Sequence, residues 1–410
     1  MTDVIERAHE VDTVESPETL REMLVGRAAE LFPLLRSGVA EAERDRRLPQ
    51  ASIDALVASG IFKIWVPKRY GGYEADPRTY IEVLAELSRG DASTSWVVSL
   101  LTGMSYMVGM FPEQAQDEIY GVDPDARVCG ILTPNGAAQR SSGGYLVNGS
   151  WPFASGCLHS TWGGATVPLV DADGTMINVG FILMPMSDLS IKDTWFTVGM
   201  RGTGSNTLVA KEVFVPEHRV LPLIGPTGAM DADTLTPFKD EVLYQAPLGS
   251  LGVLSEIGTI LGLGKAALET TLEQLPKRSI AYTTYARQVE SVSTQVDLGD
   301  AATRIDTAHL LAYRAAADID QALTSGQKLD LPARARIRAD FAFAARTVRE
   351  SVDSLMQLCG ASSMAEFNYL QQIQRDLNTV SLHGLLRASV CLEVYGATLC
   401  GLEPTTMPLV

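Results

Sequence analysis

The 410-residue chain holds only five cysteines, Cys129, Cys157, Cys359, Cys391 and Cys400, an odd number with no Cys-x-x-Cys pair. That pattern offers neither a disulfide framework nor a zinc signature, and it fits reduced thiols in an intracellular protein. Positive charge is also scarce. Lys and Arg total 33 against 49 Asp and Glu, a net charge of −16. Non-specific nucleic-acid binding, which needs cations to neutralise phosphates, is therefore not expected. A local basic site for an anionic cofactor survives this balance. The N-terminal Met1-Thr-Asp-Val-Ile-Glu-Arg7 lacks the apolar core of a signal peptide. No long apolar run is uninterrupted either. The longest, Ala246 to Leu268, is broken by Glu256 and Lys265 and carries Gly249, Gly252, Gly258, Gly262 and Gly264. A buried helix with close helix contacts fits this better than a membrane span. Internal repeats and low-complexity tracts are missing. The expectation is a soluble, cytoplasmic protein with no membrane or nucleic-acid partner.

What is present is an ordinary folded composition, 46% hydrophobic and 20% charged, long enough for two or three domains with their own cores. Ser16-Pro17-Glu18 starts a helix, with a side-chain oxygen to cap, Pro in the first turn and a carboxylate at the positive end of the dipole. Further helices are predicted at 52–60 and from Asp76-Pro77, where Tyr80, Ile81, Val83, Leu84 and Leu87 recur at helical spacing. From about Arg127 the period changes to two. Gly144–Gly149, Ile177–Leu183 and Thr207–Val215 alternate between turn residues and read as strands. Long helices return at 243–275, 293–324, 331–359 and 371–400, enough for a four-helix bundle. The domains expected are 1–125 helical, 126–235 β and 236–410 helical.

Five segments carry a resemblance. They are Val66-Pro-Lys-Arg-Tyr-Gly-Gly72, Glu86-Leu-Ser-Arg-Gly-Asp-Ala-Ser93, Trp151-Pro-Phe-Ala-Ser-Gly156, Val198-Gly-Met-Arg-Gly-Thr-Gly-Ser205 and Asp376 to Gly401. Singly each is weak; in this order and spacing they resemble the acyl-CoA dehydrogenase fold. The closer likeness is to its flavin-dependent monooxygenase branch, the oxygenase components of two-component hydroxylases such as the 4-hydroxyphenylacetate enzymes. The resemblance implies an α+β, acyl-CoA dehydrogenase-like architecture: helical domain, middle β-barrel, C-terminal four-helix bundle. One residue separates branch from parent. In Phe367-Asn-Tyr-Leu-Gln-Gln-Ile-Gln-Arg-Asp376 the dehydrogenases carry a glutamate where this chain has Asn368. An amide has no basic lone pair at neutral pH and cannot take a proton from a thioester.

The site residues follow from the same likeness. In the Trp151–Gly156 segment a hydroxyl two residues after an aromatic reaches the flavin N5/O4 edge. This makes Ser155 a catalytic and cofactor-binding candidate and puts Trp151 beside the ring. Thr133, in Ile131-Leu-Thr133, resembles the threonine at the pyrimidine end. Among the basic residues, Arg278 is the expected phosphate contact, although the usual Arg-x-x-Phe-Gly motif is degraded to Tyr282-Thr-Thr-Tyr-Ala286. Met104, Tyr106 and Met107 offer an apolar substrate lining. His383 is the second catalytic candidate. On a continuous helix it would share a face with Thr379 and Arg387, and that guanidinium would favour a neutral imidazole able to take a substrate proton. The Gly-rich 200–205 turn neither follows a strand nor opens a helix, so it is no dinucleotide fingerprint.

The reading implied is the oxygenase component of a two-component flavin-dependent monooxygenase, an assembly of four copies. Reduced FMN, or FAD, would come from a separate flavin reductase, because the chain has no nicotinamide-binding fingerprint of its own. Molecular oxygen would add to give a C4a-hydroperoxide that hydroxylates an aromatic or other small organic substrate. Three alternatives stay open: an amine or sulfur oxygenase on the same fold, a dehydrogenase whose base has moved to Glu256, and a flavin-free scaffold. The metal ligand set is expected to be none.

Overall fold

The computed structural model describes residues 16–224, 235–246 and 248–404. The first part is helical: α1 (Pro17–Glu30), α2 (Phe32–Asp45), α3 (Gln50–Ala58), α4 (Pro77–Gly90), α5 (Ala92–Val108) and the single turn α6 (Glu113–Gln116). The expected caps are in place. Ser16 accepts from the Thr19 amide, and Asp76 accepts from that of Thr79 at the start of α4. Asp91 takes the Ser93 and Thr94 amides, so one buried carboxylate starts α5 the moment α4 ends.

Eight strands follow: β1 (Val128–Ile131), β2 (Ala137–Ser141), β3 (Gly144–Ala154), β4 (Trp162–Val170), β5 (Met176–Pro185), β6 (Ser190–Lys192), β7 (Asn206–Pro216) and β8 (Val220–Pro222). They form one mixed sheet in the order β6-β7-β3-β2-β4-β5-β8, with β1 parallel to β4. The pairings run along one path from β6 to β8, the β domain expected between two helical parts. The longest pairing, β3 against β7, slips register between Trp151 and Ala154. That bulge re-aims the end of β3.

The C-terminal part contains α7 (Leu248–Gln274), α8 (Val292–Ser325), α9 (Leu331–Cys359), α10 (Tyr369–Val380) and α11 (Ala388–Leu399). Helix α7 is the axle. A Cβ at Gly258 would lie 2.7 Å from Leu84 Cβ, and one at Gly262 would lie 2.2 Å from the Ala85 carbonyl oxygen, so both glycines permit direct backbone approach to α4. Ser88 donates to the Thr259 carbonyl at 2.7 Å across the same seam. The glycine spacing thus serves the close helix contacts expected of it, within the chain. By length and composition α7 could cross a membrane, but 82% of its apolar window is buried inside the molecule, as a core helix requires.

One predicted helix is two. The expected run 371–400 stops at Val380, turns through Ser381 and His383, and restarts at Ala388. His383 sits in extended backbone at φ −57°, ψ 139°, so it shares no helical face with Thr379 and Arg387. The physical reason lies across the gap. The turn carries His383 onto the buried Glu256 of α7, a contact a continuous helix would not make.

Candidate active site

The turn at 197–205 is wedged between three elements. A Cβ at Gly199 would lie 2.2 Å from the Arg375 carbonyl oxygen of α10, and one at Gly202 would lie 2.9 Å from Cβ of both Ala42 and Ser93. Met200 takes the left-handed conformation, φ 54°, and its amide donates to Asp376 Oδ1 at 2.5 Å. Burial pushes the Asp376 carboxyl up to about 7, beyond what that backbone bond takes back; Asp91 and Glu43 raise it further, and Arg375 lowers it.

From this turn a chain of hydroxyls runs to Ser155. Thr203 Oγ1 is 2.8 Å from the Met200 carbonyl oxygen, an acceptor only, so Thr203 must be the donor. Its single proton is then committed, and it accepts from Ser205, 2.7 Å away. Ser205 in turn accepts from Ser155 at 2.6 Å. The Trp96 indole donates to Ser155 Oγ at 3.2 Å. The buried Ser155 hydroxyl therefore gives its proton to the protein and keeps one lone pair to offer.

Trp96, on α5, also joins this chain to the other half of the site. Its ring meets that of His383 edge-on, centroids 5.6 Å apart at 70°. Behind His383, Nδ1 contacts Glu256 Oε1; the Glu256 side chain is 1% exposed, while 41% of the His383 side chain remains accessible. Burial lowers the His383 pKa, but the charge of Glu256 and its contact with the ring outweigh that, and the net direction is upward. This corrects the expectation of a neutral imidazole held by Arg387. The ring faces a carboxylate and is biased towards carrying a proton.

Ser155 and His383 are thus brought together through one indole. The other predicted residues are not. Trp151 is sealed in the core with its N–H on the Thr166 carbonyl at 3.1 Å, which corrects its placement beside a cofactor. On a regular strand Trp151 and Phe153 would share a face. The bulge instead gives Phe153 a φ of +67° and leaves it 67% exposed, so Phe153 is the aromatic at the surface beside Ser155. Tyr106 donates to the Ala246 carbonyl at 2.6 Å and packs near Trp65 and Tyr244. Met107 is buried, and a Cβ at Gly130 would meet the Met104 sulfur at 2.2 Å. All three belong to the core behind α5, which corrects their expected role as substrate lining: α5 is buried along most of its length, so its methionines meet protein. Thr133 lies exposed in the loop after β1.

Arg278 binds the Cys359 carbonyl at the end of α9 and lies 3.4 Å from Gln274. Eighteen residues of α7 separate Gln274 from Glu256, about 27 Å at 1.5 Å per residue. The expected phosphate contact therefore stands far along α7 from Glu256 and His383. Asn368 caps α10, accepting from the Leu370 amide at 3.1 Å and donating to the Ser362 carbonyl at 3.0 Å. Glu256, the alternative dehydrogenase base, is sealed behind His383.

Two residues of this arrangement were not singled out in sequence. Phe153 had a signal, since it is the aromatic that stands two residues before Ser155. Trp96 had none, because its role depends on α5 passing between β3 and the 381–387 turn.

Comparison with known proteins gives the family. The family models described as acyl-CoA dehydrogenase, N-terminal domain, and acyl-CoA dehydrogenase, C-terminal domain, match residues 18–121 and 257–388. The oxygenase subunit HsaA of a flavin-dependent monooxygenase from Rhodococcus jostii is 32% identical over 92% of this chain and 97% of its own length. The chain belongs to the flavin-dependent monooxygenases of the acyl-CoA dehydrogenase fold. An FADH(2)-dependent resorcinol hydroxylase, oxygenase component, from Rhizobium sp. is 33% identical over 93% of this chain and 95% of its own. The structure of XiaF from Streptomyces sp. in complex with FADH2 and glycerol superposes with a TM-score of 0.91 at 38% identity, covering 95% of this chain and 98% of that one. This monooxygenase is accordingly an oxidoreductase, an oxygenase component that uses reduced flavin and molecular oxygen. As one component of two, it depends on a separate flavin reductase.

The residues present suit that cofactor. A reduced flavin carries a proton on N5, and Ser155 offers a lone pair with no proton to spare. An exposed ring at Phe153 and a part-exposed imidazole at His383 are surfaces a planar ligand would cover.

Proposed function

We propose that this oxygenase hydroxylates a small phenolic aromatic compound, with Ser155 and His383 on either side of the reacting edge of a reduced flavin. The single observation carrying the reading is that one indole, Trp96, holds both residues. Bound there, the flavin supplies the electrons that activate oxygen. Ser155 would accept a hydrogen bond from N5–H, Phe153 would lie against the ring and Thr133 would meet its far end. His383 holds a proton at Nε2, since Nδ1 faces Glu256, and hands it to the reacting oxygen; the emptied nitrogen can then receive a phenolic proton.

Reduced FAD is the favoured form, because two of the more similar relatives, at 38% and 33% identity, are named with FADH2. Four copies assemble through the C-terminal helices, where Leu272, Phe367, Leu399 and Leu402 are exposed apolar side chains. Light scattering at micromolar concentration checks this, and a monomer that still binds flavin refutes it. The chemistry is tested by anaerobic titration with reduced FAD and reduced FMN, then mixing with oxygen in the presence of a panel of phenols. Tighter binding of reduced FAD and a mass gain of one oxygen on a phenol are expected. Binding of neither flavin, or oxygenation only at nitrogen or sulfur, would overturn the proposal.

A further inference from the structure

Glu256 does nothing in the reading so far except lie behind His383. Its position is nonetheless costly. The carboxylate is almost wholly inside the protein, and among the described residues neither oxygen has a hydrogen-bond donor in regular geometry. A buried carboxylate in that condition must be paired with a cation or give up its charge. The contact available is Nδ1 of His383.

The surroundings narrow the choice further. From α4, Tyr80 faces Glu256, but its hydroxyl donates to the Ser99 carbonyl at 2.7 Å and burial raises its pKa. From α11, Cys391 faces it, with its thiol on the Leu385 carbonyl at 3.4 Å and its pKa raised by burial. From α9, Arg338 reaches the same carbonyl at 3.4 Å. From α5 comes the indole edge of Trp96, which does not titrate. Arg387, the charge nearest in sequence, lies on the exposed side of the turn. His383 is the member of this set that ordinarily titrates near neutral pH.

We infer that Glu256 is the positioning residue of the site. It pins Nδ1 of His383, holds the ring against the edge of Trp96, and so leaves Nε2 as the atom presented to the reacting oxygen. The inference rests on the role given to His383 above. The proton balance is simple. The Nε2 proton leaves for the oxygen, the ring nitrogen keeps the electron pair, and the Nδ1 proton stays against an ionised Glu256. No second proton crosses to the carboxylate. Return of a proton to Nε2, from a phenol or from solvent, resets the pair.

The test is the titration of His383 in the holoenzyme, followed by nitrogen resonances of isotopically labelled histidine. Five histidines give five pairs of ring-nitrogen signals, and the pair lost in His383→Asn is that of His383. A pH profile of turnover would not serve alone, since Asp376, pushed up to about 7 and facing Met200, Asp91, Glu43 and Arg375, would also shape it. In Glu256→Gln the His383 pKa should fall by a unit or more, so that the protonated fraction above neutrality drops about tenfold. Glu256→Asp should recover much of the shift, because charge rather than bulk does the holding. A His383 signal that titrates alike in wild type and Glu256→Gln would overturn the proposal. Should that variant not fold, wild type alone decides: the neutral ring must carry its proton on Nδ1, and a proton on Nε2 would overturn it. Failure of the underlying reading looks different. There the resonances show the pair, but His383→Asn leaves the ratio of product to hydrogen peroxide unchanged.

Discussion

The two halves of this site solve opposite problems. On the sheet side, Thr203, Ser205, Ser155 and Trp96 form a chain in which every hydroxyl proton is assigned, starting from a backbone carbonyl that can only accept. On the bundle side, a buried carboxylate faces Nδ1 of a part-exposed imidazole, whose other nitrogen, Nε2, is left to take up and give away a proton. One half is frozen so that it reads hydrogen-bond polarity; the other stays labile so that it can pass a proton. Frozen polarity comes from satisfied neutral groups, and lability from an imidazole whose second nitrogen is not tied to the protein.

The largest expected effect tests the labile half. His383→Asn removes the proton donor, and positioned acid–base groups contribute roughly 10²- to 10⁴-fold. Oxygen transfer should fall by that order while oxygen consumption continues as hydrogen peroxide release. Product and peroxide measured on one sample check it. Unchanged product yield would leave the comparison with only one functional half.

Asp376 ties the halves together, since it sits on α10 yet holds the turn from which the hydroxyl chain starts. Its folded pKa, about 7, lies above the ordinary value of 3.8. Between those values the folded state binds more protons than the unfolded one. The stabilisation is therefore full below about 4 and is lost as pH rises towards 7, by about 1.4 kcal/mol per unit. His383, also raised, loses its contribution in the same direction. Asp376→Asn keeps an oxygen for the Met200 amide and removes the titration, so melting temperature against pH should flatten across this window. An unchanged slope would assign it elsewhere.

How much of this was legible in the sequence depended on whether the signal was local. Capping residues, the strand alternation and the long apolar helix each stand in a few adjacent residues, and they folded as read. Ser155 and His383 were singled out because their segments resemble known ones. The errors came from non-local events. Nothing in 371–400 announces that the helix breaks, because the reward for breaking it, Glu256, lies more than a hundred residues earlier. Trp151 and Phe153 differ only through a bulge set by pairing with β7. Met104, Tyr106 and Met107 look like a ligand lining until β1 and the 242–245 turn cover them. Asn368 alone was decisive without any fold, because an amide cannot be a base anywhere.

On the frozen half, Ser155→Ala deletes the acceptor for N5–H. A hydrogen bond to a charged or strongly polar partner is worth roughly 1.5–3 kcal/mol, about ten- to a hundredfold in affinity for reduced flavin. Oxidised flavin, whose N5 has no hydrogen, should lose little. Equilibrium titration with both redox forms checks the contrast. An equal loss for both would mean Ser155 touches some other edge of the ring.

The smallest effect is the most telling, because it leaves Ser155 in place. Ser205→Ala cuts the chain one link away, and the Ser155 proton loses its partner inside the protein. The hydroxyl can then rotate and donate, which oxidised N5, an acceptor, can use. One neutral hydrogen bond, about 0.5–1.5 kcal/mol, is at stake, so the preference for reduced over oxidised flavin should narrow by about tenfold or less. Most of the change should come from tighter binding of the oxidised form. Thr203→Val ought to act in the same direction through the next link, since Ser205 would then be free to donate back to Ser155 and turn its proton outward. If Ser205→Ala instead weakens both redox forms equally, the hydroxyl chain supports the turn but does not set the polarity of Ser155. The two halves of the site would then differ in mobility and not in kind.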